Sequence, residues 1–412
     1  MSRLLKGALP STDYGARNLI VLILGLMMVG GRRLWHLQYV DEDPILQRFA
    51  GLTRLPSPMT VGRWLRRFTL EHVALLVALN TEITTAALRQ LGLRRLTVDV
   101  DGSVLSTGMT VEGARRGFNP HHRKVPSYYP ITAYEAQSGQ ILRVHNRSGN
   151  VHDGKASLPF LKQLLAQLEP LRAEGKLLEF RMDGAFFRSD VIELLSAQGA
   201  EWAIKVPFYP WLNLKHYVSQ APEWKRVKDG VSYCESRVAI KTWSRVLRVV
   251  LYRKRVFHQT KKNFQLDLFD PDDGYFEYSA IATNKRLGGR ALWHFLNGRG
   301  AHEKALGELK NGFAFDAVPT LRYAANSAWQ VLTVIAFNIS RGFQAACRVT
   351  RRGRSMKRRC LYPFEAIHTL RFRLLGRAAT LVAPAGRQTL DLGHQTAATI
   401  AFNDALQALQ RA

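Results

Sequence analysis

The pattern of apolar and polar positions divides the chain into two textures. Residues 19–29, "LIVLILGLMMV", are apolar on every face, as in a helix buried on all sides. A short helix follows at the Asp-Pro of "DEDPILQRFAGL". After "TRLPSP", the stretch "MTVGRWLRRFTLEH" predicts another, with Thr60 as its expected N-cap and Arg63, Arg66 and Arg67 together at helical spacing. Two short helices around a Pro-containing turn suggest a helix-turn-helix with a long turn. From residue 95 the period changes to about 2, that of a strand. In "RLTVDVDGSVLST" (95–107), Leu96, Val98 and Val100 alternate with Thr97, Asp99 and Asp101.

The strand texture then continues in a fixed order. "PITAYEAQSGQILRVHNRSGN" predicts a hairpin around "QSGQ", and "KASLPFLKQLLAQLE" a helix at about 155–169. "LLEFRMDGAFF" (177–187) repeats the first strand's pattern, with Leu178, Phe180 and Met182 on one face and Glu179, Arg181 and Asp183 on the other. A helix in "RSDVIELLSAQG" and a strand in "EWAIKV" complete the series. Strand, hairpin, helix, strand, helix, strand predicts an α/β fold: a mixed sheet with right-handed crossovers, in the order of the ribonuclease H-like fold. Residues 207–287, rich in Tyr, Trp, Val and basic residues with turns at "KDG" and "PDDG", predict an inserted set of antiparallel strands. Helices return at about 288–312 and 324–348, followed by the basic run "RVTRRGRSMKRRC". The expected organisation is an all-helical DNA-binding domain over 1–92, core over 93–206, β-rich insertion over 207–287, last core helices over 288–348, and a basic segment over 349–412 for DNA or dimer contacts.

Charge decides the class of partner. Among 412 residues, 59 Lys and Arg stand against 32 Asp and Glu, a formal net charge of +27. Self-repulsion of that size calls for a polyanion, and nucleic acid fits better than an anionic membrane because no single basic amphipathic helix stands out. The apolar run of residues 19–29 gives only about 16 Å of helix, roughly half a bilayer core, so no membrane span is expected. Cys234, Cys347 and Cys360 are odd in number, far apart and without metal-ligand spacing, consistent with reduced thiols in a cytoplasmic protein. His121, His122, Arg123 and Lys124 read as a basic loop near DNA rather than a zinc site.

Asp99 and Asp101 share one face of their strand, about 7 Å apart. Such a pair either faces water at a sheet edge or is compensated by a cation. Asp101 is the stronger candidate ligand, because Asp101-Gly102 closes its strand and Asp183-Gly184 closes the other, where ligands gather in open sheets. A third carboxylate is expected in "HFLNGRGAHEKALGELKNGF" (294–313). At about 100° per residue, Arg299, Glu303 and Lys310 fall within about 40° of one another, while Glu308 lies roughly 140° from Glu303. Glu308 is therefore expected to point toward solvent or a neighbouring segment.

The spacing Arg299-x3-Glu303-x6-Lys310 resembles the Tyr-Arg-Glu-Lys signature of a group of prokaryotic insertion-sequence transposases with an Asp-Asp-Glu triad, with Leu296 in the tyrosine's place. Further resemblance lies in "RGFNPHHRKVPSYYPITAYEAQSGQILRVHNRSGN", "FRMDGAFFRSDVIELLSAQGAEWAIKV" and "YAANSAWQVLTVIAFNI". It implies a ribonuclease H-like DDE transposase that cuts element ends, through a hairpin, and joins them to target DNA. Asp101, Asp183 and Glu303 would hold two Mg²⁺ ions, with Mn²⁺ able to substitute. Asp101 would bridge both. Arg63, Arg66, Arg67, Arg299 and Lys310 would contact double-stranded DNA as a homodimer pairs two ends. The alternatives are a metal-dependent nuclease of the same fold without strand transfer, and a catalytically inactive DNA-binding derivative.

Overall fold

The computed structural model describes residues 7–108, 110–117, 124–257, 275–347, 351–353 and 355–411. His121, His122 and Arg123 lie outside the described residues, so the basic-loop expectation is not addressed there. The all-apolar run forms α1 (Ala16–Val29), buried through most of its length. α2 (Pro44–Ala50) starts where the Asp43 carboxylate accepts the N–H groups of Ile45 and Leu46, at 2.8 and 3.0 Å. α3 (Pro58–Leu65) is capped by Ser57, whose hydroxyl accepts the Thr60 N–H at 3.2 Å. Thr60 is thus inside the helix rather than its cap: Pro58 suits the first helical position, which makes Ser57 the cap. α4 (Leu70–Gln90) closes this part of the chain. Among the described residues, no helix is long and apolar enough to cross a membrane.

The strands build one mixed sheet. β1 (Arg95–Gly102), β2 (Ile131–Glu135) and β3 (Gln140–His145) run antiparallel in turn. Then come α5 (Asp153–Ala173), β4 (Leu177–Met182), α6 (Ser189–Ala197) and β5 (Glu201–Val206). β4 pairs parallel with both β1 and β5. The residues after β5 carry β6 (Lys225–Lys228), β7 (Val231–Ile240), β8 (Arg245–Val256) and β9 (Tyr275–Thr283). These strands extend the core sheet instead of forming a separate one, because β9 pairs antiparallel with β5. The nine-stranded order is β3-β2-β1-β4-β5-β9-β8-β7-β6. The β3 edge is covered by side chains: Asn338 accepts the Ile141 N–H and Asn80 donates to the Leu142 carbonyl, both at 2.9 Å.

Helices follow as α7 (Gly289–Asn297), α8 (Gly300–Phe313), α9 (Tyr323–Ala346) and α10 (Thr396–Arg411). The expected single helix over 288–312 is two, parted at Gly298. A side chain there would collide with the Arg181 guanidinium and the Lys357 backbone, so glycine lets them approach the helix junction. Arg299 keeps helical angles (φ −58, ψ −24), which preserves the spacing through α8.

Two layers cover the sheet. On one face Leu96, Val98, Val100, Phe180, Met182 and Ile204 pack against α5 and α6. On the other, α4 and α9 lie over β3, and α1 packs on α9 in the same apolar core. This second face is charged in its central part, yet buried. Asp99 sits beside Arg181 in register and accepts from it twice, at 2.5 and 2.7 Å, with both side chains fully buried. Glu179 accepts from Thr97, Lys285 and Arg358 at 2.5, 2.7 and 2.9 Å. Alternation made this face polar, and cross-strand pairing neutralises it. Arg358, in the basic run near the C-terminus, turns inward to this face with φ 48, while Lys357 and Arg359 on either side are exposed.

Candidate active site

β1 and β4 are parallel neighbours, so their C-terminal ends bring Asp101 and Asp183 together. Asp101 ends its strand half-buried; its Oδ1 accepts the Gly102 N–H at 3.0 Å and its Oδ2 accepts from Arg299 Nη2 at 2.7 Å. Asp183 follows β4 directly and caps a short turn by accepting the Ala185 N–H at 3.0 Å. Burial pushes the Asp101 carboxyl up to about 6; the Arg299 guanidinium pulls it down, and the nearby Asp183 and Asp153 carboxylates push it up further. Burial works against the Arg299 charge, but Asp101 and Asp183 outweigh it and hold its pKa above the ordinary value.

Asp153 escaped the sequence reading. It opens α5, is 5% exposed, accepts from the Tyr129 hydroxyl at 2.8 Å and pairs with Arg147. Its carboxylate rests against the backbone of Gly102: a β-carbon there would lie 2.6 Å from Asp153 Oδ1, so only glycine admits the contact. Burial and then Asp153 itself raise the Tyr129 pKa, which keeps the hydroxyl protonated as a donor. The Asp-Gly dipeptide, which occurs at 101, 153 and 183 but also at 229 and 273, did not single it out.

α8 lies across the end of β1. Arg299 at its N-cap reaches Asp101, and Lys310 in its last turn donates to the Val104 carbonyl at 3.0 Å. Glu303 lies between them in sequence, in the first turn, and is exposed. By helical spacing it shares the face that Arg299 and Lys310 turn toward this strand end. Among the described residues, no three His, Cys, Asp or Glu side chains converge to hold one metal ion, so Asp101, Asp183 and Glu303 do not form a closed triad. Glu308 points elsewhere, pairing with Arg341 of α9 and accepting the Ile367 N–H at 2.9 Å. Beneath the helix, the buried His302 Nε2 lies 2.9 Å from Thr132 Oγ1, and its ring stacks on Tyr134 at 5.3 Å. Burial, then Arg299 and Arg181, push the His302 pKa down to about 3, so it is a neutral pin between α8 and β2. Nothing in the sequence pattern singled it out.

Leu296, in the place of the signature tyrosine, is half-buried on α7. Arg63, Arg66 and Arg67 are exposed at the end of α3; Arg67 donates to the Ser11 carbonyl at 2.8 Å. No hydrogen bond or ion pair joins these three to the carboxylates among the described residues.

The Asp101–Asp183 pair fits a hard divalent cation. Its donors are carboxylate oxygens, and burial, with a smaller push from the Asp183 and Asp153 carboxylates, raises the Asp101 pKa against the pull of Arg299, so a bound cation would relieve the buried charge.

Residues 11–412 match the family described as transposase DDE domain group 1, and the chain belongs to that family of DDE transposases, enzymes of DNA transposition. A cryo-EM structure of a piggyBac transposase synaptic complex with hairpin DNA is similar at 9% identity and a TM-score of 0.42, covering 86% of this chain and 70% of that one. No curated protein matches the chain.

Proposed function

We propose that the chain cleaves the ends of an insertion element and joins them to target DNA, with Asp101, Asp183 and Glu303 as its catalytic carboxylates. The observation that supports this is the docking of α8 on the strand ends: Arg299 bonds Asp101 and Lys310 bonds Val104, and Glu303 falls on the same helix face by spacing. The strand order β3-β2-β1-β4-β5 supports a ribonuclease H-like core, and the later strands widen it.

Asp101, Asp183 and Glu303 would hold two Mg²⁺ (or Mn²⁺) ions, which would supply Lewis acidity toward a water or 3′-hydroxyl nucleophile and the leaving oxygen. The remaining work belongs to the chain. Asp101 and Asp183 set the charge of the site, and His302 holds α8 in register on β2. Arg299 and Lys310 bind the end's phosphates, and exposed Arg63, Arg66 and Arg67 bind the duplex farther out. Pairing two ends calls for a homodimer on DNA, in the cytoplasm and associated with the nucleoid when bound. The helical segment over 1–92, the insertion over 207–287 and the segment over 349–412 serve as DNA-contacting parts around the core.

A strand-transfer assay tests this, using terminal-repeat DNA from beside the reading frame and a supercoiled target in Mg²⁺. Joined products are expected. Cleavage without joining would make the protein a nuclease, and binding without cleavage an inactive derivative.

A further inference from the structure

A second charged surface lies on the outer side of α7, away from the Asp101 site. Arg290 and His294 sit one turn apart on this helix. α7 packs on β6, whose Lys228 is exposed, and Lys357 is exposed on the segment that crosses the end of α7. None of Lys228, Arg290 and Lys357 has an ion-pair partner among the described residues. Of the two acids flanking β6 in sequence, Asp229 is paired with Arg226 and Glu223 precedes the strand at its other end, while neither α7 nor residues 355–360 contain a carboxylate. The imidazole registers this excess: burial first, then Lys357, Arg290 and Lys228, lower the His294 pKa.

The surface is also held in place. Arg181 Nη1 donates to the Phe295 carbonyl of α7 at 2.9 Å and to the Lys357 carbonyl at 2.7 Å, while its other nitrogens bond Asp99. One buried guanidinium thus ties α7 and the 357 segment to β1 and β4, the strands that carry Asp101 and Asp183. A charged edge strand protects a sheet from edge pairing, which accounts for β6. It does not account for Arg290 or Lys357, which lie on other elements.

We propose that Lys228, Arg290, His294 and Lys357 form a phosphate track for duplex DNA. The track runs from the edge of the inserted strands to the end of α7, where Arg299 begins the active site. Resting on the transposase function proposed above, it would hold the donor DNA that flanks the cleavage position. The track meets only the DNA backbone, so it carries no sequence preference.

The test measures duplex affinity against salt for wild type, for K228A/R290A/K357A, and for R94A/K162A/R322A, which removes the same charge from exposed positions of the core. The duplex carries the terminal repeat, with its flank retained or trimmed at the cut. With the flank present, the first variant should bind at least tenfold more weakly. Its log–log salt slope should be shallower by about 2–3, close to one for each phosphate no longer neutralised. On the trimmed duplex the two variants should bind alike, and ethylation interference should place the affected phosphates in the flank. Equal weakening in both variants, or a wild-type slope in the first, would overturn the track. Salt-independent DNA binding by wild type would instead overturn the transposase function itself.

Discussion

Arg299 Nη2 lies 2.7 Å from Asp101 Oδ2, so a guanidinium supplies positive charge to the carboxylate that the proposed chemistry assigns to a metal. The two cations compete for one oxygen. Arg299→Ala should therefore tighten Mn²⁺ binding to the DNA-free protein severalfold, read by calorimetry, while weakening terminal-repeat binding. Unchanged Mn²⁺ affinity in this variant would show that the contact does not guard the site.

The raised Asp101 pKa also sets a stability trend. With a folded value of about 6 against an ordinary 3.8, the metal-free native state binds more protons than the unfolded chain between those values. The associated stability is fully present below about 4 and is lost as pH rises through about 6, an effect of order 2–3 kcal/mol. Asp101→Asn should flatten this decline and melt higher than wild type at pH 7 without divalent ions. Parallel melting curves across pH 4–7 for the two proteins would contradict it.

How much of this was legible in the sequence depends on distance along the chain. Asp101 and Asp183 at neighbouring strand ends followed from a local period of two and a terminal Asp-Gly. The N-cap was misjudged because Ser57 and Thr60 are both capable residues, and Pro58 decides between them. The need for glycine at 298 was invisible: Arg181 and Lys357, which crowd that position, are remote in sequence and meet it only in the fold. The union of the later strands with the core sheet was hidden for the same reason, since the β5–β9 pairing is non-local. Asp153 and His302 belong to no repeating pattern, and only tertiary contacts to Gly102 and Thr132 give them roles.

Asp99 demonstrates that proximity on a strand does not make two carboxylates equivalent. It is fully buried and doubly bonded to Arg181, a structural pair rather than a free ligand. Asp99→Asn leaves a buried guanidinium uncompensated and should cost about 3–5 kcal/mol in denaturant unfolding. The double variant Asp99→Leu/Arg181→Met should recover much of this loss, because neither charge remains buried. A loss below about 0.5 kcal/mol for Asp99→Asn would mean the pair is solvated.

The last prediction separates the two glutamates of α8. Glu303 shares a face with Arg299 and Lys310, both of which reach the end of β1, and it is exposed. Glu308 is half-buried against Arg341 and the Ile367 N–H on the other side of the helix. Glu303→Gln keeps the volume and removes the charge, so it should lose end cleavage by several orders of magnitude at unchanged melting temperature. Glu308→Gln should do the reverse. It weakens a charge-assisted contact, which costs about 1–3 kcal/mol, and leaves cleavage per folded molecule near wild type. The measurement is end cleavage in Mg²⁺, normalised to DNA bound and set beside the melting temperature of each variant. An active Glu303→Gln with an inactive, normally stable Glu308→Gln would require the opposite face of α8 to meet Asp101, which the Arg299 contact forbids.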